Sequence, residues 1–406
     1  MRRATLPVTL LMQSASSAAV FAPAVAAPRL REQMALGPAA VGVFVALVYL
    51  AAMFSSPLGA QLVRRHGPIR ASQLALLCSG LGLVLVGLAA RLAPAAAAAP
   101  WPLLALAALG ALLVGAGYGP ITPASSQMLA RTTSLRHYAL VFSIKQTGVP
   151  LGGVIAGFMV PPLVLWGGGS GAAALFGTAA LCLAGAASAL PLAHELDDQR
   201  QPGLPWPGVA RLMAPVRYIA GHAVLRSVAL CSLVFSMVQV SLTSYLVSLL
   251  TADLRWPLLA AGAALSASQV AGVGGRIAWG VVSDRWLGPR RMLQGLAWAM
   301  LACCLAVPWL GPASPGAVVV ALLCVFGATA VGWNGVYLAT VARLVPHEQA
   351  ATATAGTLFF TFFGVVIGPP LFGLAGSALG GLAPAFALLV LPLVVALWLL
   401  GRSRWG

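Results

Sequence analysis

The chain contains a single lysine, Lys145, inside the stretch SIKQTGVPLGG (143–153), and its other 22 basic residues are arginines. A second cation with apolar and small neighbours on both sides is Arg276, in GVGGRIAWG (272–280). A basic side chain at mid-membrane costs about 2.5–3.5 kcal/mol on insertion scales, and one that is kept there usually marks a substrate or ion path. An arginine grips a carboxylate with two parallel hydrogen bonds, whereas a lysine offers a compact point charge. All seven carboxylates (Glu32, Glu195, Asp197, Asp198, Asp253, Asp284 and Glu348) fall in loops or at predicted helix ends, so neither cation has an embedded acid beside it. The chemistry this pattern offers is the holding of an anion. Two readings need no ligand: Lys145 snorkelling to the membrane surface, and Arg276 bonding helix-end carbonyls. The five histidines also sit at loops or ends, and the six cysteines show no metal-ligand spacing. Acid–base or metal chemistry needs clusters of such groups, so neither enzymatic activity nor a metal or cofactor is expected.

Residues of this kind need elements that carry them away from water. The 406-residue chain is 60% hydrophobic and only 7% charged. A soluble domain carries about 25% charged residues, so the outer surface of this one must face lipid. Apolar runs of about 20 residues, each long enough to cross a bilayer as a helix, follow one another almost without pause. Twelve spans are predicted, at 5–27, 38–62, 71–92, 102–129, 138–165, 171–193, 227–250, 257–282, 290–311, 315–341, 351–376 and 380–400. The start, MRRATLPVTLLMQ, followed by APAVAAP, also has the pattern of a cleavable signal peptide; the duplication described below requires this helix, and it is kept as the first span. A net charge of +16 would point to nucleic acid in a soluble protein. Here 17 of the 23 basic residues lie at the termini and in alternate loops, against Arg29, Arg31, Arg91 and Arg255 in the opposite ones. That is the positive-inside pattern. It predicts a cytoplasmic (inner) membrane protein with both termini in the cytoplasm, and no nucleic-acid partner.

The spans form two sets of six. GAQLVRRHGPIR (59–70) follows span 2 and GVVSDRWLGPRR (280–291) follows span 8, at equivalent places. GAGYGPITPASSQMLAR (115–131) and GATAVGWNGVYLATVAR (327–343) share the opening Gly-Ala and the closing Ala-Arg at equal length. The expected architecture is all-α, with two pseudo-symmetric six-helix bundles at 1–193 and 227–406 and a cytoplasmic linker at 194–226. GVVSDRWLGPRR resembles the loop motif of the major facilitator superfamily, and the resemblance extends over the twelve spans, the duplication and the central linker. One departure is Val63, which stands where the motif of the first half would have an acid.

The resemblance implies a secondary transporter working by alternating access, with a small-molecule substrate, and a monomer in the lipid bilayer is expected. It implies that spans 5 and 8 face one another, so that Lys145 and Arg276, each about 12 Å deep by helix rise, would share one cavity. It implies that spans 1, 4, 7 and 10 line the pathway, with Gln13, Tyr118, Gln239, Tyr245, Trp333, Asn334 and Tyr337 as candidate substrate contacts. It also implies a latch in the loops, in which Asp284 pairs with Arg343 and caps the start of span 5. Gly59, Arg64, Arg131, Gly280 and Arg285 are the accompanying gating candidates, and Val63 would leave the latch one-sided. The substrate class expected is a small organic anion, a carboxylate. The alternative is an exporter of hydrophobic or cationic compounds, which would call for an intramembrane acid. The glycines of GVPLGGVIAG and GVVIGPPLFG, four residues apart, predict close helix approach, with their prolines as bending points.

Overall fold

The computed structural model describes residues 5–93, 99–132, 144–198, 200–201, 203, 208–345 and 350–402. These residues are helical almost throughout. The helices are α1 (Thr5–Val25), α2 (Ala27–Met34), α3 (Ala39–His66), α4 (Pro68–Leu92), α5 (Trp101–Thr132), α6 (Gly148–Trp166), α7 (Gly171–Ser188) and α8 (Leu190–Leu196). They continue as α9 (Val209–Gly221), α10 (Ala223–Ser248), α11 (Leu258–Val282), α12 (Gly288–Ala306), α13 (Gly316–Ala330), α14 (Asn334–Arg343), α15 (Ala350–Ala378), α16 (Leu382–Leu388) and α17 (Val390–Arg402).

Among the described residues, eleven stretches are long and apolar enough to cross a membrane, and one of them, Leu258–Trp309, runs for 52 residues. As one straight helix it would measure about 78 Å, more than twice a hydrocarbon core of about 30 Å. It turns back through the π-helical turn Ser283–Leu287 and Gly288. It therefore crosses twice, as α11 and α12, and the crossings number twelve. The residue that makes the turn is the glycine of the repeated G-P-x-R. Gly288 has φ +72° and ψ 161°, and its counterpart Gly67 has φ +91° and ψ 157°. Only glycine tolerates that region. Pro68 and Pro289 then start α4 and α12, where a missing N–H costs nothing.

The chain divides into two compact units, Met1–Gly37 with Leu47–Pro207, and Pro38–Ala46 with Gly208–Gly406. In the first, α4 packs on α5 and α7, and α1 on α6; in the second, α10 packs on α15 and α11 on α13. Glycines set the closeness of these contacts, as the four-residue spacing predicts. A Cβ on Gly152 would lie 2.4 Å from the Cβ of Ser17, and one on Gly364 would lie 2.1 Å from the carbonyl of Leu233. Three elements differ from the sequence reading. The linker is not merely polar, because α9 forms in it and packs on α15, where Gly356 lies against the Pro215 carbonyl. Pro150 sits in the first turn of α6 and bends nothing; Pro161 and Pro162 lie inside the helix. Span 10 is two helices, α13 and α14, with a turn at Val331–Trp333.

Exposed tryptophans stand at both ends of the crossings, Trp286 in the Ser283–Leu287 turn being at the G-P-x-R end. Trp101 begins α5, Trp166 ends α6 and Trp309 follows α12, and all three are exposed. By the alternation of the spans all three lie at the same membrane face, opposite the G-P-x-R loops, as an aromatic belt does.

Candidate functional site

In the first unit the site is built where α1, α5 and α6 meet. Gly148 and Gly152 of α6 lie against Gln13 and Ser17 of α1, so the two helices run parallel in a matched register. Lys145 lies one turn before Gly148. It is 1% exposed, so it does not snorkel. Among the described residues its polar contact is one long hydrogen bond, Nζ to Gln146 Oε1 at 3.4 Å. No carboxylate pairs with it there. Gln13 is fully buried; its Oε1 accepts from Thr122 Oγ1 at 3.4 Å, while its Nε2 has no partner. The buried hydroxyls of Ser14, Ser16 and Ser17 on the same helix are unpartnered as well. Tyr118, one turn before Thr122, meets the ring of Tyr49 edge-on at 5.8 Å. The first unit thus encloses an ammonium, an amide NH2 and several hydroxyls in apolar surroundings, a set rich in donors and poor in anionic acceptors. His137, eight residues before Lys145 at the predicted entry of span 5, lies outside the described residues.

In the second unit the break in span 10 brings Trp333 and Asn334 to the N-terminus of α14, beside Gln239 of α10. The indole N–H can only donate, and it does so to Gln239 Oε1 at 2.9 Å. Asn334 Nδ2 donates to the same oxygen at 3.2 Å. This orients both amides and leaves Gln239 Nε2 as a donor and Asn334 Oδ1 as an acceptor. Tyr337, one turn on, stacks edge-on against Trp333 at 5.2 Å, and its buried hydroxyl faces the hydroxyls of Ser232, Thr357 and Thr361. Four of the sequence-predicted contacts, Gln239, Trp333, Asn334 and Tyr337, therefore form one cluster.

A broken helix frees carbonyls that lipid cannot satisfy, and two side chains of α11 take them. Trp279 Nε1 donates to Ala328 O at 2.7 Å, and Arg276 Nε to Val331 O at 3.1 Å. Arg276 is thus engaged as a brace on span 10, the ligand-free reading of that residue, and not as a second free cation. Tyr245 is also corrected. It is fully buried, and its hydroxyl donates to the Pro369 carbonyl at 3.0 Å, joining α10 to α15. Sequence reading missed the break; its signal was Gly332, whose Cβ would lie 2.1 Å from Ala328 O.

In the loops, Arg343 Nη2 donates to Asp284 Oδ1 at 2.8 Å. Both side chains are more than half exposed, so the pair is worth about 0–1 kcal/mol by itself. The start of span 5 lies within 133–143, outside the described residues, as does the side chain of Arg131. Arg285 is exposed and Arg64 bonds Gln61. Gly59 is needed for packing, since a Cβ there would lie 2.7 Å from Pro120 Cα, while Gly280 faces open space. Val63 is buried with Ala71 and Ala124. The first-half loop is nevertheless not without an acid. Asp197, beyond α8, accepts from the backbone N–H of Ile69 at 2.8 Å and of Arg70 at 3.2 Å. Burial pushes the carboxyl of Asp197 up, while those N–H bonds and the charges of Arg70 and Arg200 pull it back.

Solved structures of low identity share the fold. A bacterial homolog of the human lysosomal transporter Spinster, in an inward-facing and occupied conformation, superposes with a TM-score of 0.75 at 17% identity, over 99% of this chain and 98% of that one. A mutant form of the nucleoside transporter NupG gives 0.78 at 15%, over 98% and 99%. No curated protein matches the chain in sequence. The family model of the Major Facilitator Superfamily matches residues 9–369. With twelve crossings, a duplicated glycine turn and a polar cluster in each half, the chain belongs to that superfamily of transporters.

Proposed function

We propose that this transporter moves a small organic anion, a carboxylate, by alternating access, with Lys145 as the group that holds the charge. The observation that carries the reading is a lysine 1% exposed whose polar contact among the described residues is a single amide oxygen at 3.4 Å. A buried charge of this kind is costly without a counter-charge, and a carboxylate ligand supplies one. Gln13 Nε2 and the hydroxyls of α1 add unused donors. In the second unit the N-terminus of α14 carries partial positive charge, and Gln239 Nε2 is a donor of the same kind. The arginine distribution supports a cytoplasmic side for both termini and the G-P-x-R loops. Export of cationic compounds has less support, because the carboxylates that the apolar stretches contain stand at a span end, Asp253, and in the turn between two crossings, Asp284.

The test is binding and uptake of labelled benzoate, formate and lactate by purified protein in proteoliposomes. Replacing one charge-assisted contact, worth about 1.5–3 kcal/mol, predicts that Lys145→Ala weakens the bound carboxylate by roughly 10- to 100-fold. The amide and aromatic cluster also favours a second reading, a neutral planar solute of the nucleoside class that the NupG neighbour is named for. Uridine bound or taken up equally by wild type and Lys145→Ala, with no response to any carboxylate, would replace the anion reading with that one.

A further inference from the structure

The two halves tie the same pair of places together with opposite chemistry. In the first bundle the carboxylate of Asp197, at the end of the sixth crossing, receives the N–H groups of Ile69 and Arg70 at the start of the third. Gln201 N–H adds a bond to the Arg64 carbonyl at 2.8 Å, and Gln73 Nε2 one to Ala186 O at 3.0 Å. Asp197 fits so closely that a Cβ on Gly67 would lie 2.3 Å from its carboxyl carbon. In the second bundle the residue aligned with Ile69 in G-P-x-R is Arg290. Its guanidinium donates to Leu400 O at 2.8 Å and Gly401 O at 2.5 Å, the last carbonyls of the twelfth crossing. One tie sets an anion on a helix N-terminus and the other a cation on a helix C-terminus. Each is the charge that its helix end favours, and each meets backbone groups that have no intrahelical partner.

We infer that Asp197 and Arg290 are equivalent positioning residues, one per bundle, which fasten the third crossing to the sixth and the ninth to the twelfth so that each bundle turns as one body during transport. The assignment rests on membership of the transporter superfamily and is independent of the substrate. The duplication supports it: the backbone turn is the same in both halves, at Gly67 and Gly288, yet the side chains that close it are unrelated. A shared function met by two different chemistries accounts for that. It also explains why Val63 costs the first half no fastening, since its carboxylate comes from the far end of the bundle.

The test uses the full chain in lipid nanodiscs without any ligand. Backbone hydrogen exchange is followed in wild type, Asp197→Ala, Asp197→Asn and Arg290→Ala. Spin-label pairs at Leu74/Leu190 and Trp298/Trp398, all exposed positions, report distances within each bundle. Asp197→Ala is expected to speed exchange at 68–72 by tenfold or more and to broaden the Leu74/Leu190 distances about twofold, leaving 398–402 and the second pair unchanged. Arg290→Ala is expected to do the reverse. Asp197→Asn, which keeps an acceptor for Ile69, should fall between wild type and Asp197→Ala. Exchange and distances like those of wild type, or a uniform acceleration through both bundles in either alanine variant, would overturn the assignment. Failure of every carboxylate to bind would leave it standing, because neither readout involves a substrate.

Discussion

Lys145 and Arg276 look alike in sequence, yet their surroundings give them opposite energetics. Arg276 makes the shorter of two bonds to the Val331 carbonyl at a helix break, the other coming from Asn334 Nδ2 at 3.4 Å, so truncating it leaves that backbone acceptor with only a long bond. That loss costs about 1–3 kcal/mol. Among the described residues Lys145 bonds only Gln146 Oε1, and removing an uncompensated buried charge relieves a desolvation cost. Arg276→Ala is therefore expected to lower the melting temperature of the purified protein by several degrees, while Lys145→Ala leaves it unchanged or raises it. Thermal unfolding of the two variants in one detergent settles the point, and equal losses in both would contradict this account. The residue types and their isolation from acids were readable in the sequence. What was not readable was whether a carbonyl would stand within reach of either cation. For Arg276 that depended on a turn in span 10, 55 positions further along the chain.

At the scale of elements, apolar runs placed the crossings well because lipid imposes one requirement, a helix of about 20 apolar residues. The same requirement hid the interruption at Val331–Trp333, since hydropathy does not change where a helix breaks. It likewise hid α9, a short helix in a stretch whose prolines and charges read as a linker. Glycine spacing was a good guide to helix contacts but a poor guide to individual glycines. Gly152 is singled out by spacing for close packing and Gly280 by motif for gating, yet only the first has a neighbour within 4 Å of an added Cβ. Gly152→Val should force α1 and α6 apart at an overpacking cost of about 1–3 kcal/mol or more, seen as lost monodispersity on size exclusion and a lowered melting temperature. Gly280→Ala places its methyl in open space within helix α11, where exchanging glycine for alanine gains about 0.5–1 kcal/mol. A stable Gly152→Val protein, or a destabilised Gly280→Ala one, would show that these distances do not govern packing.

The whole molecule repeats one plan twice, and the repeat was legible because it rests on local chemistry. G-P-x-R demands a glycine-only turn and a proline start, and both halves show it. The tie that completes each turn was not legible, because Asp197 lies 128 residues from Ile69 and Arg290 lies 110 from Leu400. Which face of the membrane holds these loops follows from charge. Arginines resist translocation, and the proposed orientation accordingly sets the face with the G-P-x-R loops, Arg200 and Arg217 in the cytoplasm and the face with Trp101, Trp166 and Trp309 outside. Single cysteines at Ala313, in the exposed loop after α12, and at Arg200 test this orientation. The native cysteines Cys182, Cys231, Cys303 and Cys304 are buried, and Cys78 and Cys324 lie within crossings, so a membrane-impermeant maleimide should leave them unmodified. Intact cells are expected to label Ala313→Cys at once and Arg200→Cys only after permeabilisation. The reverse pattern would invert the molecule. The side from which an anion first meets Lys145 would be reversed with it.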